Sequence, residues 1–479
     1  MTLNSLYFIF FLIIVYLIIA GVQLVGSLIK KDLIRVQIDI LLISSYLFIA
    51  LNSFFFCLII LITSIITYFA ASLIMRNANR RIYLGVAITG LVLELVYFKY
   101  MNFLISSFGD LWGTADAALN ILLPLGISFY IFTAIGYLID VFRGEYDAEK
   151  NFVNVALTLA YFPKIIAGPI VRGNAFLPQL KKYRGVTWKD FQAGIQIFIF
   201  GLFKKIVLAD HLNVFVNDVF RAPVAFNTGT VILAVVSYSL QIYFDFSGYS
   251  DMAIGISRIL GIKITPNFNL PYVAKSPSEF WERWHISLSS WLRDYVYFPL
   301  GGNRKGNGRT YINLMLVMLI SGLWHGVGWT FIFWGFLHGM YSCVYKFIDA
   351  SLKRRPADTN ACIFRSLSKL LNFFLITIFW IFFRANSFDN AFAVMRGCFT
   401  LHSGISQPYI WSFFAFIVLF LSSIYAAYKS EKSMDNKING IYPIFNLHKL
   451  GPQIILFTFI GLTVIMGYYG NTAFIYGTF

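Results

Sequence analysis

Long apolar runs separated by short charged groups set the pattern of this chain. No Asp, Glu, Lys or Arg precedes Lys30, and none falls between Ala117 and Ile139. Each of these stretches exceeds the ~20 residues that carry a helix across ~30 Å of hydrocarbon. The same pattern predicts spans at Leu6–Leu28, Val36–Leu51, Phe54–Ile74, Ile82–Phe98, Ala117–Ile139 and Phe191–Leu208. Further spans are predicted at Val231–Phe244, Ile312–His325, Trp329–Tyr345, Leu370–Phe383, Tyr409–Tyr428 and Gln453–Tyr468. The fold class is therefore all-α and polytopic, with about 11 transmembrane helices (roughly 10 to 13). The first run lacks a basic leader and a small-residue cleavage site, so it reads as a retained helix rather than a signal peptide.

Two segments break the pattern. Between Phe152 and Asp190, the stretch Ala160-Tyr-Phe-Pro-Lys-Ile-Ile-Ala-Gly-Pro-Ile-Val-Arg172 is apolar but interrupted by Pro163, Gly168 and Pro169. Irregular backbone at membrane depth survives only where protein or a water-filled cavity satisfies it, which favours a re-entrant segment over a surface-lying one. From Ser276, Ser-Pro-Ser-Glu279 is a helix start with an N-cap, a first-turn proline and a capping box. Trp281, Trp284, His285, Leu288, Trp291, Leu292 and Tyr295 follow at helical spacing and predict one amphipathic surface helix.

Composition agrees. Hydrophobic residues fill 58% of 479 positions and charged residues 13%, against roughly a quarter charged in soluble chains. The net charge of +16 arises from clusters beside apolar runs: Lys30, Lys31 and Arg35; Arg76, Arg80 and Arg81; Lys181, Lys182 and Arg184; Lys353, Arg354 and Arg355. Such clusters mark cytoplasmic loops and lipid headgroup contacts rather than nucleic acid, and they place the N-terminus outside. Cys57, Cys343, Cys362 and Cys398 show neither disulfide nor zinc spacing. No metal is expected.

Candidate chemistry centres on histidine. His325 closes Ser321-Gly-Leu-Trp-His-Gly326, at the Gly326-Val-Gly328 break in an uncharged run that begins at Thr310. A helix from Thr310 puts this imidazole ~22 Å along its axis. An ionisable group at such depth marks function or bonds across helices as glue. Gly322 and Gly326 leave room for a ligand, Trp324 could wall a tunnel, and imidazole exchanges protons near neutral pH. His285 lies on the aromatic face of the amphipathic helix, where an interfacial role and a functional one are both open. Arg304 and Lys305 lie in the glycine-rich loop Pro299–Arg309, which could hold a phosphate or simply turn near anionic lipid. Asp245 could orient a histidine or cap a helix.

Several of these stretches form ordered motifs: Phe280-Trp-Glu-Arg-Trp-His285, Leu292-Arg-Asp-Tyr295, Phe298-Pro-Leu-Gly-Gly-Asn-Arg-Lys305, and Ser321-Gly-Leu-Trp-His-Gly326. Together with Ala167-Gly-Pro-Ile-Val-Arg172, Tyr243-Phe-Asp-Phe-Ser-Gly-Tyr-Ser-Asp251, Pro266-Asn-Phe-Asn-Leu-Pro271, Trp334-Gly-Phe-Leu-His-Gly339 and Phe382-Phe-Arg-Ala385, this set resembles the membrane-bound O-acyltransferase family, within it most closely the bacterial alginate O-acetyltransferase branch.

The resemblance implies a single membrane domain over 1–479. Its parts would be N-terminal helices (1–150), a motif-bearing core (151–385) and C-terminal helices (386–479). The helices would form a ring around a central tunnel, with re-entrant and amphipathic surface pieces. His325 takes the place of the family's catalytic histidine, as general base or acyl relay, and His285 that of its second motif histidine, positioning the donor. Trp281, Trp284, Trp324, Arg304, Lys305, His338 and Asp245 become tunnel or donor-binding residues, Asp245 as a histidine orienter. The donor would be acetyl-CoA or another acyl-CoA or acyl carrier. The acceptor would be an extracytoplasmic polysaccharide or peptidoglycan, and the location the bacterial inner membrane. No hydrolase-like extracytoplasmic segment stands in the chain, so a separate extracytoplasmic or membrane-anchored transferase is expected to complete the transfer. A D-alanyl transferase acting on teichoic acid and a non-enzymatic flippase of envelope precursors are the competing readings.

Overall fold

A computed structural model describes residues 2–112, 119–351, 361–432, 447 and 450–470; the predicted cluster Lys353, Arg354 and Arg355 lies outside them. The described residues are helical apart from turns and one isolated bridge between Phe226 and Ile405. Leu6–Leu28, Phe54–Arg76, Arg80–Phe108, Trp188–Arg221, Thr228–Ile259 and Ser366–Arg384 are long and apolar enough to cross a bilayer. Shorter apolar helices at Ile410–Ser422 and Leu450–Met466 add to them. Their outward side chains are apolar, as with Leu17 and Leu24 at 61% exposure each. Only a lipid surround makes such a surface favourable. The protein is a multi-pass membrane protein.

Contacts divide the chain into two compact units, one built mainly of Met1–Ile199 with Tyr249–Thr265, the other of Phe200–Gly248 and Pro266–Pro443 with His448–Phe479. The first opens with α1 (Leu6–Leu28), α2 (Ile34–Ala50), α3 (Phe54–Arg76), α4 (Arg80–Leu95) and α5 (Met101–Trp112), the last two joined by a π-turn at Val96–Tyr100. Then comes α6 (Ile127–Arg143), where a span from Ala117 was expected. It starts late because Gly126 adopts φ +69° and packs so closely that a Cβ there would stand 1.9 Å from the Ile165 carbonyl oxygen. The proline-broken stretch forms three short pieces, α7 (Phe152–Ala160), α8 (Phe162–Ile165) and α9 (Gly173–Lys181), with little exposed surface from Asn154 to Val171.

Two helices have residues in both units: α10 (Trp188–Phe203) and α12 (Thr228–Ile259). After α10 the helix widens into a π-segment, Lys204–Ala209, before α11 (Asp210–Arg221). The second unit continues with α13 (Pro277–Arg283), α14 (Ile286–Leu292), α15 (Gly306–His325) and α16 (Trp329–Ser351). It ends with α17 (Ala361–Arg384), α18 (Phe388–Phe399), α19 (Ile410–Lys432) and α20 (Leu450–Met466).

The single amphipathic helix expected from Pro277 to Tyr295 does not form. It breaks at His285, which adopts a left-handed φ of 43°, and resumes as α14 followed by a π-turn at Arg293–Tyr297. The break is stabilised by a backbone bond from Ile286 N–H to the Asn267 carbonyl (2.9 Å). Trp284 and His285 are fully buried rather than interfacial.

Helices α15 and α16 form a close pair because glycine meets glycine. A Cβ on Gly322 would stand 2.4 Å from the Phe331 carbonyl oxygen, and one on Gly335 2.4 Å from that of Met318. Small residues let membrane helices approach at backbone distance. Helix α15 stops at His325 because Gly326 is extended (φ −157°, ψ 163°), and a Cβ there would overlap the Phe331 ring.

Candidate active site

His285 is placed by a capped helix and a hydrogen-bonded break. The Ser276 side chain accepts from Glu279 N–H (3.1 Å), and the Glu279 carboxylate returns to Lys275 N–H (2.9 Å) and pairs with Arg283 (2.9 Å). This fixes α13 and so the direction in which the chain arrives at the left-handed residue. Asn267 then sets the ring. Its Oδ1 accepts from Ser287 N–H (3.1 Å) and the Ser287 hydroxyl (2.9 Å), and lies 3.2 Å from His285 Nδ1. A backbone N–H can only donate, so the Asn267 atom is the carbonyl oxygen and His285 Nδ1 carries the proton. Nε2 is left with its lone pair, and it has no hydrogen-bond partner among the described residues.

His325 stands at the C-terminal end of α15, 2% exposed. Aromatic rings surround it: Trp324 at 5.0 Å, Trp334 at 5.2 Å and Phe383 at 5.4 Å, all near edge-on. The His285 ring lies 6.1 Å away. Phe246 of α12 packs edge-on to His285 at 4.6 Å, and Trp324 reaches it at 5.5 Å.

His338 lies one turn beyond Trp334 on α16. Its ring meets Trp334 at 4.8 Å, Trp281 at 5.0 Å and Phe379 at 5.0 Å, and neither nitrogen has a hydrogen-bond partner among the described residues. Trp334 therefore touches both His325 and His338. Trp380 stacks on Trp334 (5.5 Å) and meets Trp284 (5.0 Å), tying the remaining predicted tryptophan into the same cluster. In so apolar a setting the neutral imidazole is favoured over the charged one, and it offers a lone pair to a bound group.

Of the predicted site residues, His285, His325, His338, Trp281, Trp284 and Trp324 come together. Asp245, which the sequence offers as a histidine orienter or a helix cap, meets a cation. It pairs with Lys205 (2.7 Å), which also holds Asp210 (2.7 Å), all three being buried. Asn267 orients His285 instead. The π-segment explains the pairing: it carries Lys205 where Gly248 of α12 packs so tightly that a Cβ would stand 2.7 Å from the Gly201 carbonyl oxygen. Lys205 went unnoticed in the sequence, although a cation within one predicted span and an acid at the end of another are a sign of intramembrane pairing. Asn267 had no such sign.

Arg304 and Lys305 are exposed on a loop that turns through left-handed Gly301, Gly302 and Gly306, and Asn313 pins that loop by donating to the Gly302 carbonyl (2.9 Å). The loop is shaped, and its cations face outward.

A profile of the membrane-bound O-acyltransferase family matches residues 147–388, which include all of these rings. The chain belongs to that family. Among individual members, it is 42% identical over 66% of its length to a "Probable alginate O-acetylase AlgI" of Pseudomonas putida, spanning 64% of that protein. It is 36% identical over 69% of its length to a "Peptidoglycan O-acetyltransferase" of Helicobacter pylori, spanning 67% of it. A "Teichoic acid D-alanyltransferase" of Bacillus subtilis is 29% identical over 48% of the chain and 60% of that relative. The chain thus spans about two-thirds or less of the length of these family members.

Proposed function

We propose that the protein is an acyltransferase of the bacterial cytoplasmic membrane that moves an acyl group, acetyl in the simplest case, from a cytoplasmic donor toward an extracytoplasmic polysaccharide or peptidoglycan. The observation that carries this reading is the pairing of His285 and His325, two buried imidazoles 6.1 Å apart within one aromatic cluster.

In this reading His325 takes the proton of an attacking hydroxyl while its oxygen bonds to the acyl carbonyl carbon. The tetrahedral intermediate collapses, the donor's thiolate leaves, and the imidazolium returns the proton to it. As an acyl relay, the His325 nitrogen would itself attack first and pass the acyl group on. His285, held with Nε2 as acceptor by Asn267, positions the donor beside it. His338, Trp281, Trp284 and Trp324 keep the reacting groups away from bulk water, which strengthens each electrostatic contact. Arg304 and Lys305 meet donor phosphates at the loop.

Relatives named as O-acetyltransferases support acetyl over D-alanyl as the transferred group, because the match to the D-alanyl relative is weaker and shorter. The donor is acetyl-CoA or another acyl-CoA or acyl carrier, and a separate extracytoplasmic or membrane-anchored transferase receives the group. The test is mass spectrometry of the envelope polymer from cells carrying the wild type or His325→Ala at equal membrane abundance. Loss of ester-linked acyl groups in the variant is the expected result. Unchanged acylation would remove the enzyme reading, and transport of an envelope precursor without any acyl product would favour a flippase.

A further inference from the structure

Lys164 is a buried amine inside the first unit, with no carboxylate paired to it among the described residues. It is 4% exposed, and its one charged contact is the face of Phe176, 6.0 Å from the ring centre. No ion pair or side-chain hydrogen bond reaches it among the described residues. The nearest acids in sequence are engaged elsewhere: Glu149 with Lys181 (3.0 Å) and Asp190 with Arg258 (2.6 Å). Between Glu149 and Asp190 the chain has no Asp or Glu, while its cations include Lys150, Arg172, Lys181, Lys182 and Arg184.

A buried lysine ordinarily relieves such a position by stretching its stem to water. Here the backbone is fixed from several directions. Ser45 of α2 accepts from Phe162 N–H (3.2 Å). The Phe162 ring sits among Phe8 (6.1 Å), Phe11 (5.3 Å) and Phe48 (5.9 Å). On either side the chain closes at backbone distance, since a Cβ on Gly126 would meet the Ile165 carbonyl oxygen and one on Gly168 would stand 2.4 Å from Lys164 Cα. The proline-broken segment thus holds one amine at a set place, where carrying a charge is costly until an anion meets it. A fixed ammonium without a carboxylate suits an anion brought by a ligand, and lysine serves phosphate as a point charge.

We propose that Lys164 is the charged contact of a phosphate-ester site in the N-terminal unit. The ester belongs either to a phospholipid headgroup or to a phosphate-bearing soluble molecule. The inference concerns binding alone and stands whether or not the acyl-transfer reading holds.

Two probes separate the sources on the full-length protein. Coenzyme A is titrated against protein in phosphatidylcholine nanodiscs, and phosphatidylglycerol retention is followed by native mass spectrometry from detergent. Lys164→Met should weaken one of these by ~10-fold or more, and Lys164→Arg should stay near wild type. Loss confined to coenzyme A assigns a soluble ligand, and loss confined to phosphatidylglycerol assigns a lipid. Wild-type binding of both by Lys164→Met overturns the site. Should that variant misfold, Lys164→Gln decides, since it keeps a polar stem without the charge: it should lose the same binding by ~10-fold or more. Wild-type retention of both esters by folded Lys164→Gln overturns the proposal.

Discussion

The imidazoles of His285 and His325 lie 6.1 Å apart, centre to centre, with their planes tilted by 60°. They come from different breaks in the backbone, one at a left-handed residue and the other at a helix end, so each can be removed without deleting the element that carries the other. His325→Ala is expected to lower acyl transfer by ~10²–10⁴-fold, the usual worth of a positioned proton acceptor. His285→Ala is expected to fall within the same range. The double variant should cost little more than the worse single one, because groups acting as a unit are not additive. Initial rates with purified protein, alongside melting temperature, check this.

Asn267 makes a separate claim testable. Replacing it with Leu leaves His285 Nδ1–H and the Ser287 donors without their acceptor, a loss of ~1–3 kcal/mol. Expressed in orientation of the ring that positions the donor, that is a ~10–100-fold drop in kcat/KM for the donor. Asn267→Asp keeps an acceptor in place and should retain more activity than Asn267→Leu.

Lys205 neutralises two carboxylates, and its removal strands both of them in the interior. Lys205→Met should destabilise the protein by ~3–5 kcal/mol. Adding Asp245→Asn to that variant should restore part of the loss, since a neutral amide no longer demands the ammonium. Thermal unfolding in detergent, followed by intrinsic tryptophan fluorescence, measures both.

The close approach of α15 and α16 depends on bare glycine. Gly335→Val places methyl groups where the Met318 carbonyl oxygen already lies within 2.4 Å of a Cβ. Separating the helices should cost ~1–3 kcal/mol or more and displace Trp334 from His325. A lower yield of monodisperse protein on size exclusion, with reduced activity of what remains, is expected.

Arg304 and Lys305 are exposed, so reversing both charges should spare stability. The double change to Glu is expected to raise KM for a phosphate-bearing donor by ~10-fold at low salt, and less as salt screens the loop. Equal KM in variant and wild type would take the loop out of donor binding.

Much of this was legible in the chain before folding. The apolar runs gave most helices directly, because lipid imposes a length and a polarity that few other constraints can override. His325 stood out because it is ionisable within an uncharged run. The sequence placed His285 beside the right tryptophans and on the wrong kind of surface. Helical spacing continued through Trp284 and His285 as if the helix did, while an extended Trp284 and a left-handed His285 broke it and left both side chains buried. That reversal rests on Asn267 and Ile286, partners distant in sequence or matched only through the backbone, and no periodicity announces them. The ion pair of Asp245 was hidden for a related reason: an acid at a span end invites a histidine partner, and the lysine that meets it sits on a π-segment whose widened turn no local pattern reveals.

The widened turn at Lys204–Ala209 makes chain length itself adjustable. It brings Lys205 and Asp210, five positions apart, to one face, where a regular α-turn would set them about 140° apart. If one residue between them were lost, the backbone would settle into regular α-turns with the pair four apart, still neighbours on one face. A library of single deletions should therefore show a narrow window of tolerated losses between Lys205 and Asp210, flanked by inactive variants in α10 and α11.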